Sequence, residues 1–257
     1  MALRVAVLIN TPCTNKEFWT DVRTSYFEAF AAVAPTAEVH CYDPVFEKIF
    51  PNPARYDLII LSGGKADASS SEPWVLGVLD FLRNTVREFP RAKILGICWG
   101  HQAVSRAFGG EIRPVQTGPI AAIQDVPLTE AGRKFFAFAA QTGSYVRSPT
   151  LSYCVKANTQ HGKRVPEFHV REVYKPAPGF TALAEDNECF VNEANTVLSF
   201  QAHPEIGADL ARKMLLEEDD VYNGNIAAAE LNKEVLKLDQ GLDGLRLLER
   251  VIQWVYE

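Results

Sequence analysis

At 257 residues, 47% of them hydrophobic and 23% charged, the chain has ample apolar material for one large α/β domain or two small ones. Its formal net charge of −6 argues against general nucleic-acid binding, which needs a basic footprint, and gives as little support to binding an anionic membrane surface. No apolar run approaches the roughly 20 residues that span a bilayer, and the apolar start "MALRVAVLIN" is followed by no small-residue cleavage site, so it reads as a buried strand rather than a signal peptide.

The first half alternates strand-like and helix-like segments. Residues 4–9 ("RVAVLI") predict a strand, 17–33 a helix, 37–42 ("AEVHCY") a strand, and 56–64 ("YDLIILSGG") a strand ending in a glycine pair. Residues 73–89 carry apolar side chains at helical spacing, with Pro73 suited to a first turn. Then "KILGI" (93–97) predicts a fourth strand and "HQAVSRAF" (101–108) a helix stopped by Gly109 and Gly110. Continuous apolar strands separated by helices indicate a parallel sheet buried on both faces.

The second half reads differently. Residues 121–129 and 180–203 are strand-rich with close turns, which suggests antiparallel pairs attached to the sheet. Between them, 141–166 is polar, broken by Gly143, Pro149 and Gly162, and reads as a long loop, lid or insertion. From 206 to 257 the pattern is helical, with the C-terminal helices at 225–257. The five cysteines (Cys13, Cys41, Cys98, Cys154, Cys189) are scattered and form no CxxC pair. Neither a metal knuckle nor a disulfide framework is indicated, and a reducing, cytoplasmic setting is expected.

The chemistry concentrates at "GICWG", where strand becomes helix. A nucleophile between two small residues at such a junction is the pattern of a nucleophile elbow. The glycines relieve clashes in the sharp turn, and the helix start favours the Cys98 thiolate. The N–H of Trp99 is placed to bind the oxyanion of a tetrahedral intermediate. A small core cysteine at a tight junction is the bland alternative. A partner base stands in "TVLSFQAHPEIG", where a strand delivers His203 and, two residues on, Glu205. Residues i and i+2 of an extended chain share a face, and Pro204 keeps a helix from starting between them. A carboxylate beside an imidazole fixes its tautomer and stabilises the cation formed when it takes a proton. The order Cys, His, acid also differs from α/β-hydrolases, which place the acid before the histidine.

On "GICWGHQ" and "FQAHPE" together the chain resembles the class I glutamine amidotransferase family. The resemblance covers most of the chain and implies a flavodoxin-like α/β fold, a mostly parallel sheet with helices on both faces and a small antiparallel extension, as a single domain over residues 1–257. It implies a catalytic triad of Cys98, His203 and Glu205. "LSGGKADASSSEPW" is similar to the family loop that completes the oxyanion hole, at Gly64 beside Trp99. Gln102 matches the family glutamine near the substrate, with helix capping as the alternative. His169, in "FHVREVYKPAPGF", falls on a family histidine position, with a surface strand histidine as the alternative. The spacing most resembles stand-alone members related to the amidotransferase domain of GMP synthetase, including γ-glutamyl peptidases.

The resemblance implies hydrolysis of a γ-glutamyl amide (glutamine, glutathione or a conjugate) through a Cys98 thioester, with no metal or organic cofactor. With no recognisable acceptor domain, a stand-alone γ-glutamyl peptidase is favoured over a glutaminase serving a separate synthetase subunit. A non-catalytic, redox-sensing protein on the same fold is the rival, although a sensor has no use for His203 and Glu205. Residues 117–126 lack the tryptophan or glutamate of close relatives. The segment before His169 is longer and more basic than usual, with Arg147, Lys156, His161, Lys163 and Arg164. It reads as a solvated loop, or more sharply as a lid recognising a substrate carboxylate.

Overall fold

The computed structural model describes residues 2–12, 16–137, 163–217, 222–223 and 226–257. Its centre is a seven-stranded sheet. β1 (Arg4–Leu8), β2 (Glu38–Tyr42), β3 (Leu58–Leu61) and β4 (Lys93–Ile97) are parallel, and β11 (Val197–Phe200) joins them in parallel alongside β4. β10 (Cys189–Asn192) and β9 (Phe180–Ala182) continue the sheet antiparallel, giving the order β2-β1-β3-β4-β11-β10-β9. The expected flavodoxin-like, mostly parallel architecture with an antiparallel extension is what the chain adopts. All five residues of β4 and all four of β3 and β11 are buried, as strands covered on both faces must be.

One face of the sheet is covered by α1 (Lys16–Val33) and the C-terminal α7 (Gly244–Val255), whose Leu247, Leu248, Val251 and Trp254 are buried in the same core cluster as Tyr26 and Phe30. The other is covered by α2 (Pro73–Glu88) and α3 (Trp99–Ala107), which bury Trp74, Val78, Leu82, Trp99 and Val104. Pro73 occupies the first turn of α2, where its missing N–H costs nothing. The remaining α-helices among the described residues are α4 (Glu130–Phe136), α5 (Ala208–Leu216) and α6 (Ala228–Leu238).

Two antiparallel ribbons stand outside the main sheet: β5 (Glu111–Pro114) with β8 (Arg171–Lys175), and β6 (Ile120–Val126) with β7 (Lys163–His169). β7 corrects the reading of 141–166 as one irregular loop. Residues 163–166 are strand, paired from Lys163 opposite Val126 to Pro166 opposite Ile123. Among the described residues β7 pairs on one side only, which is how it tolerates Pro166. Residues 141–162 lie outside the described residues.

Candidate active site

β4 delivers Cys98 to the carboxyl end of the sheet, and the backbone there is strained. Cys98 has φ 49 and ψ −102, a conformation that costs a non-glycine residue on the order of 1–3 kcal/mol. The flanking glycines are dictated by contact: a Cβ on Gly96 would lie 2.6 Å from the carbonyl oxygen of Gly100, and one on Gly100 would lie 2.3 Å from that of Leu61. The Cys98 N–H donates to Phe200 O at 2.8 Å, tying the end of β4 to that of β11. Its Sγ lies 3.5 Å from Phe168 O on β7. Trp99 opens α3, so its N–H is among those without an acceptor inside the helix. Its buried ring stacks on Trp74 with centroids 5.2 Å apart.

Because β11 lies beside β4, the chain leaving it carries His203 to Cys98. The His203 N–H donates to Pro166 O at 3.0 Å, and its Nδ1–H donates to Glu205 Oε1 at 2.8 Å. Both side chains are buried. Burial opposes the imidazolium, but the Glu205 carboxylate and the Cys98 sulfur beside it outweigh that and lift the His203 pKa well above its ordinary value. Glu205 Oε1 has a second neighbour that the sequence did not reveal: Tyr26 of α1, whose hydroxyl donates at 3.4 Å.

Gly64 follows β3 in a loop pressed against the end of β1, where a Cβ would meet Asn10 O at 2.2 Å. Two arginines brace this loop. Arg106 of α3 donates through Nη1 to Ala68 O at 2.8 Å and Ser70 O at 2.7 Å. Arg171 of β8 pairs with Asp67 at 2.6 Å.

Gln102 and His169 are more deeply placed than substrate-facing groups need to be. The Gln102 amide donates to Arg171 O at 2.9 Å and Gln201 Oε1 at 3.1 Å, holding α3 to β8. His169 is buried, not on the surface as its alternative reading had it. Its Nδ1–H donates to Arg171 O at 2.9 Å, and burial lowers its pKa to about 4, so it is neutral. Its Nε2 lies 3.5 Å from Glu167 Oε2. Glu167 is 1% exposed. Burial and the neighbouring Glu188 carboxyl push Glu167 well above the usual carboxylate range, and burial raises Glu188 as well. Glu167 Oε1 and Oε2 and Glu188 Oε2 are buried with no hydrogen-bond partner among the described residues, which favours the neutral, protonated carboxyl. His101, next to Gln102, is also buried and neutral, its pKa lowered to about 3 by burial and by His169. Its Nδ1 lies 2.9 Å from Ser199 Oγ.

Sequence reasoning missed Tyr26, Arg106, Arg171 and Glu167. None was assigned a role, although Arg171 stands inside the quoted "FHVREVYKPAPGF" and a glutamate two residues before His169 could have been noticed as a charge on a face that had to be buried. The lid reading is corrected for two of its residues. Lys163 and Arg164 belong to β7, and Arg164 is held by Asp125 at 2.9 Å and Gln240 at 2.7 Å. Arg147, Lys156 and His161 lie outside the described residues. Among the described residues no group of three or more His, Cys, Asp or Glu side chains is placed to hold a metal ion, and no helix is long and apolar enough to cross a membrane.

Residues 20–220 match the family model for glutamine amidotransferase class-I. The chain is 54% identical to the glutamine amidotransferase-like protein chyE of Penicillium rubens over 99% of its own length and 98% of that protein's. It is 23% identical to gamma-glutamyl peptidase 2 of Arabidopsis thaliana, covering 82% of this chain and 79% of that one. The crystal structure of a glutamine amidotransferase from Thermotoga maritima superposes with a TM-score of 0.70 at 19% identity, covering all of both chains, and so shares the fold.

Proposed function

The chain belongs to the class I glutamine amidotransferase family, and from that premise we propose that it is a hydrolase of γ-glutamyl amides, with Cys98 as nucleophile, His203 as acid and base, and Glu205 as the group that orients His203. The observation that carries this is the contact from His203 Nδ1 to Glu205 Oε1 at 2.8 Å, on an imidazole whose basicity Cys98 and Glu205 both raise. A redox sensor needs no such proton carrier.

In this reading the Cys98 thiolate attacks the γ-carbonyl, and the N–H groups of Gly64 and Trp99 receive the oxyanion. His203 gives its proton to the departing amine as the C–N bond breaks, leaving a γ-glutamyl thioester. It then takes a proton from water, whose oxygen attacks the thioester to release glutamate and restore the thiol. Glu205 keeps the proton on Nδ1, so that Nε2 is the atom that exchanges protons with the reaction. The similarity to a gamma-glutamyl peptidase supports a small γ-glutamyl compound as substrate.

Glutamate release from glutamine and glutathione, measured beside Cys98→Ala, tests the reading. Release that the variant abolishes is the expected result. Release that persists in the variant, or none from the wild type on any γ-glutamyl amide, would overturn it.

A further inference from the structure

The oxyanion donor proposed at Gly64 is half of a peptide unit whose other half is the Gly63 carbonyl. In a planar trans peptide the C=O and N–H point opposite ways, so whatever holds the carbonyl also aims the N–H. Ser62, the residue after β3, holds it. Its hydroxyl donates to Gly63 O at 2.7 Å and accepts the Asn10 N–H at 2.9 Å. The first bond uses the one proton that a serine hydroxyl has to give. Ser62 is fully buried, and its own N–H donates to Leu8 O at 3.0 Å. The Asn10 side-chain amide donates in turn to Leu8 O at 3.1 Å and to Ser62 O at 3.4 Å. The hydroxyl is thus anchored at the end of β1 and reaches forward to the glycine peptide.

That peptide needs an anchor because of the residues on either side of it. A Cβ on Gly63 would lie 2.6 Å from His203 Cε1 and 3.5 Å from Cys98 Cβ, and one on Gly64 would lie 2.2 Å from Asn10 O. Close approach to the nucleophile, the base and β1 therefore leaves room only for glycine at both positions. Two glycines in a row also let the peptide between them turn over at little steric cost, since glycine accepts φ of either sign. A unit turned over would present its carbonyl where its N–H had been, and an oxyanion there would be repelled. We propose that Ser62 is a positioning residue for the oxyanion hole, whose hydroxyl keeps the Gly63–Gly64 peptide from turning over during acyl transfer. This rests on the hydrolase reading above, in which the Gly64 N–H receives the oxyanion.

The test compares Ser62→Ala and Ser62→Cys with the wild type in two reactions of the whole chain. Glutamate release from glutamine or glutathione passes through the oxyanion. Alkylation of Cys98 by iodoacetamide, followed by mass spectrometry of its peptide, displaces iodide from a saturated carbon and forms none. Both rates are referred to the folded fraction read from melting, and the cysteine variant, close to serine in size but a weak donor, serves if the alanine variant does not fold. Ser62→Ala is expected to lower kcat by about 10- to 100-fold, up to the loss of a whole oxyanion donor, with KM within about threefold and the alkylation rate within about twofold. Ser62→Cys is expected to fall between it and the wild type. A kcat within about threefold of wild type in either folded variant, or a fall in alkylation as large as the fall in kcat, would overturn the inference and leave the hydrolase reading intact. No glutamate release by the wild type would overturn both.

Discussion

His203 holds its proton against burial because two partners, Glu205 and Cys98, favour the cation. Removing the charge of Glu205 while keeping its shape should therefore be costly. Glu205→Gln is expected to lower kcat by about 10²–10⁴-fold, because an amide presents the wrong tautomer to Nδ1, with the melting temperature changed far less than the rate. Tyr26 acts one step further out, donating to Glu205 Oε1 at 3.4 Å, a long bond. Tyr26→Phe is expected to cost only about three- to tenfold in kcat and to move the pH at which His203 titrates in the kcat/KM profile. A Tyr26 that only fills core would leave that profile in place. Cys98, His203 and Glu205 were legible in the sequence because the elbow and the i, i+2 spacing each express a local geometry. Tyr26 was not, because 179 residues separate it from its partner, and nothing in a helical tyrosine says which carboxylate it will meet.

The element that sequence reading lost, β7, holds both halves of the site. Its Phe168 carbonyl lies against Cys98 Sγ and its Pro166 carbonyl accepts the His203 N–H. It was illegible because Pro166, Glu167 and two cations interrupt any alternating pattern, and only its pairing with β6 makes it a strand. The parallel strands β1, β3 and β4 were plain because burial on both faces leaves them continuously apolar. A similar dependence on distant partners governs the loop carrying Gly64, whose local bonds from Ser69 and Ser70 to Asp67 are supplemented by Arg106 and Arg171 from outside it. Arg106→Met keeps the aliphatic stem but frees two carbonyls. It is expected to lower kcat/KM by about tenfold and to speed hydrogen exchange across residues 64–72. Unchanged exchange there would show that the brace is dispensable.

Across the whole molecule, the buried ionisable groups set a pH dependence whose sign can be worked out. His101 and His169, at about 3 and about 4 when folded, regain an ordinary value of about 6.5 on unfolding. The unfolded chain then binds more protons between those values, and stability rises with pH up to about 6.5. Glu167 and Glu188 run the other way: raised by burial when folded, near about 4.3 when unfolded, they keep protons that the unfolded chain gives up. Their contribution is fully present below about 4.3 and is lost as pH rises through the folded values. His203, also raised, loses its contribution over the range above about 6.5. Below that pH the histidine pair and the glutamate pair oppose one another; above it, Glu167, Glu188 and His203 all act in the same direction. The melting temperature is therefore expected to fall between pH 6.5 and 8.5. Glu167→Gln removes one of the two raised carboxyls, so it should flatten that fall. A wild-type melting temperature that climbs through the same interval would mean that Glu167 and Glu188 are not held protonated in the folded chain.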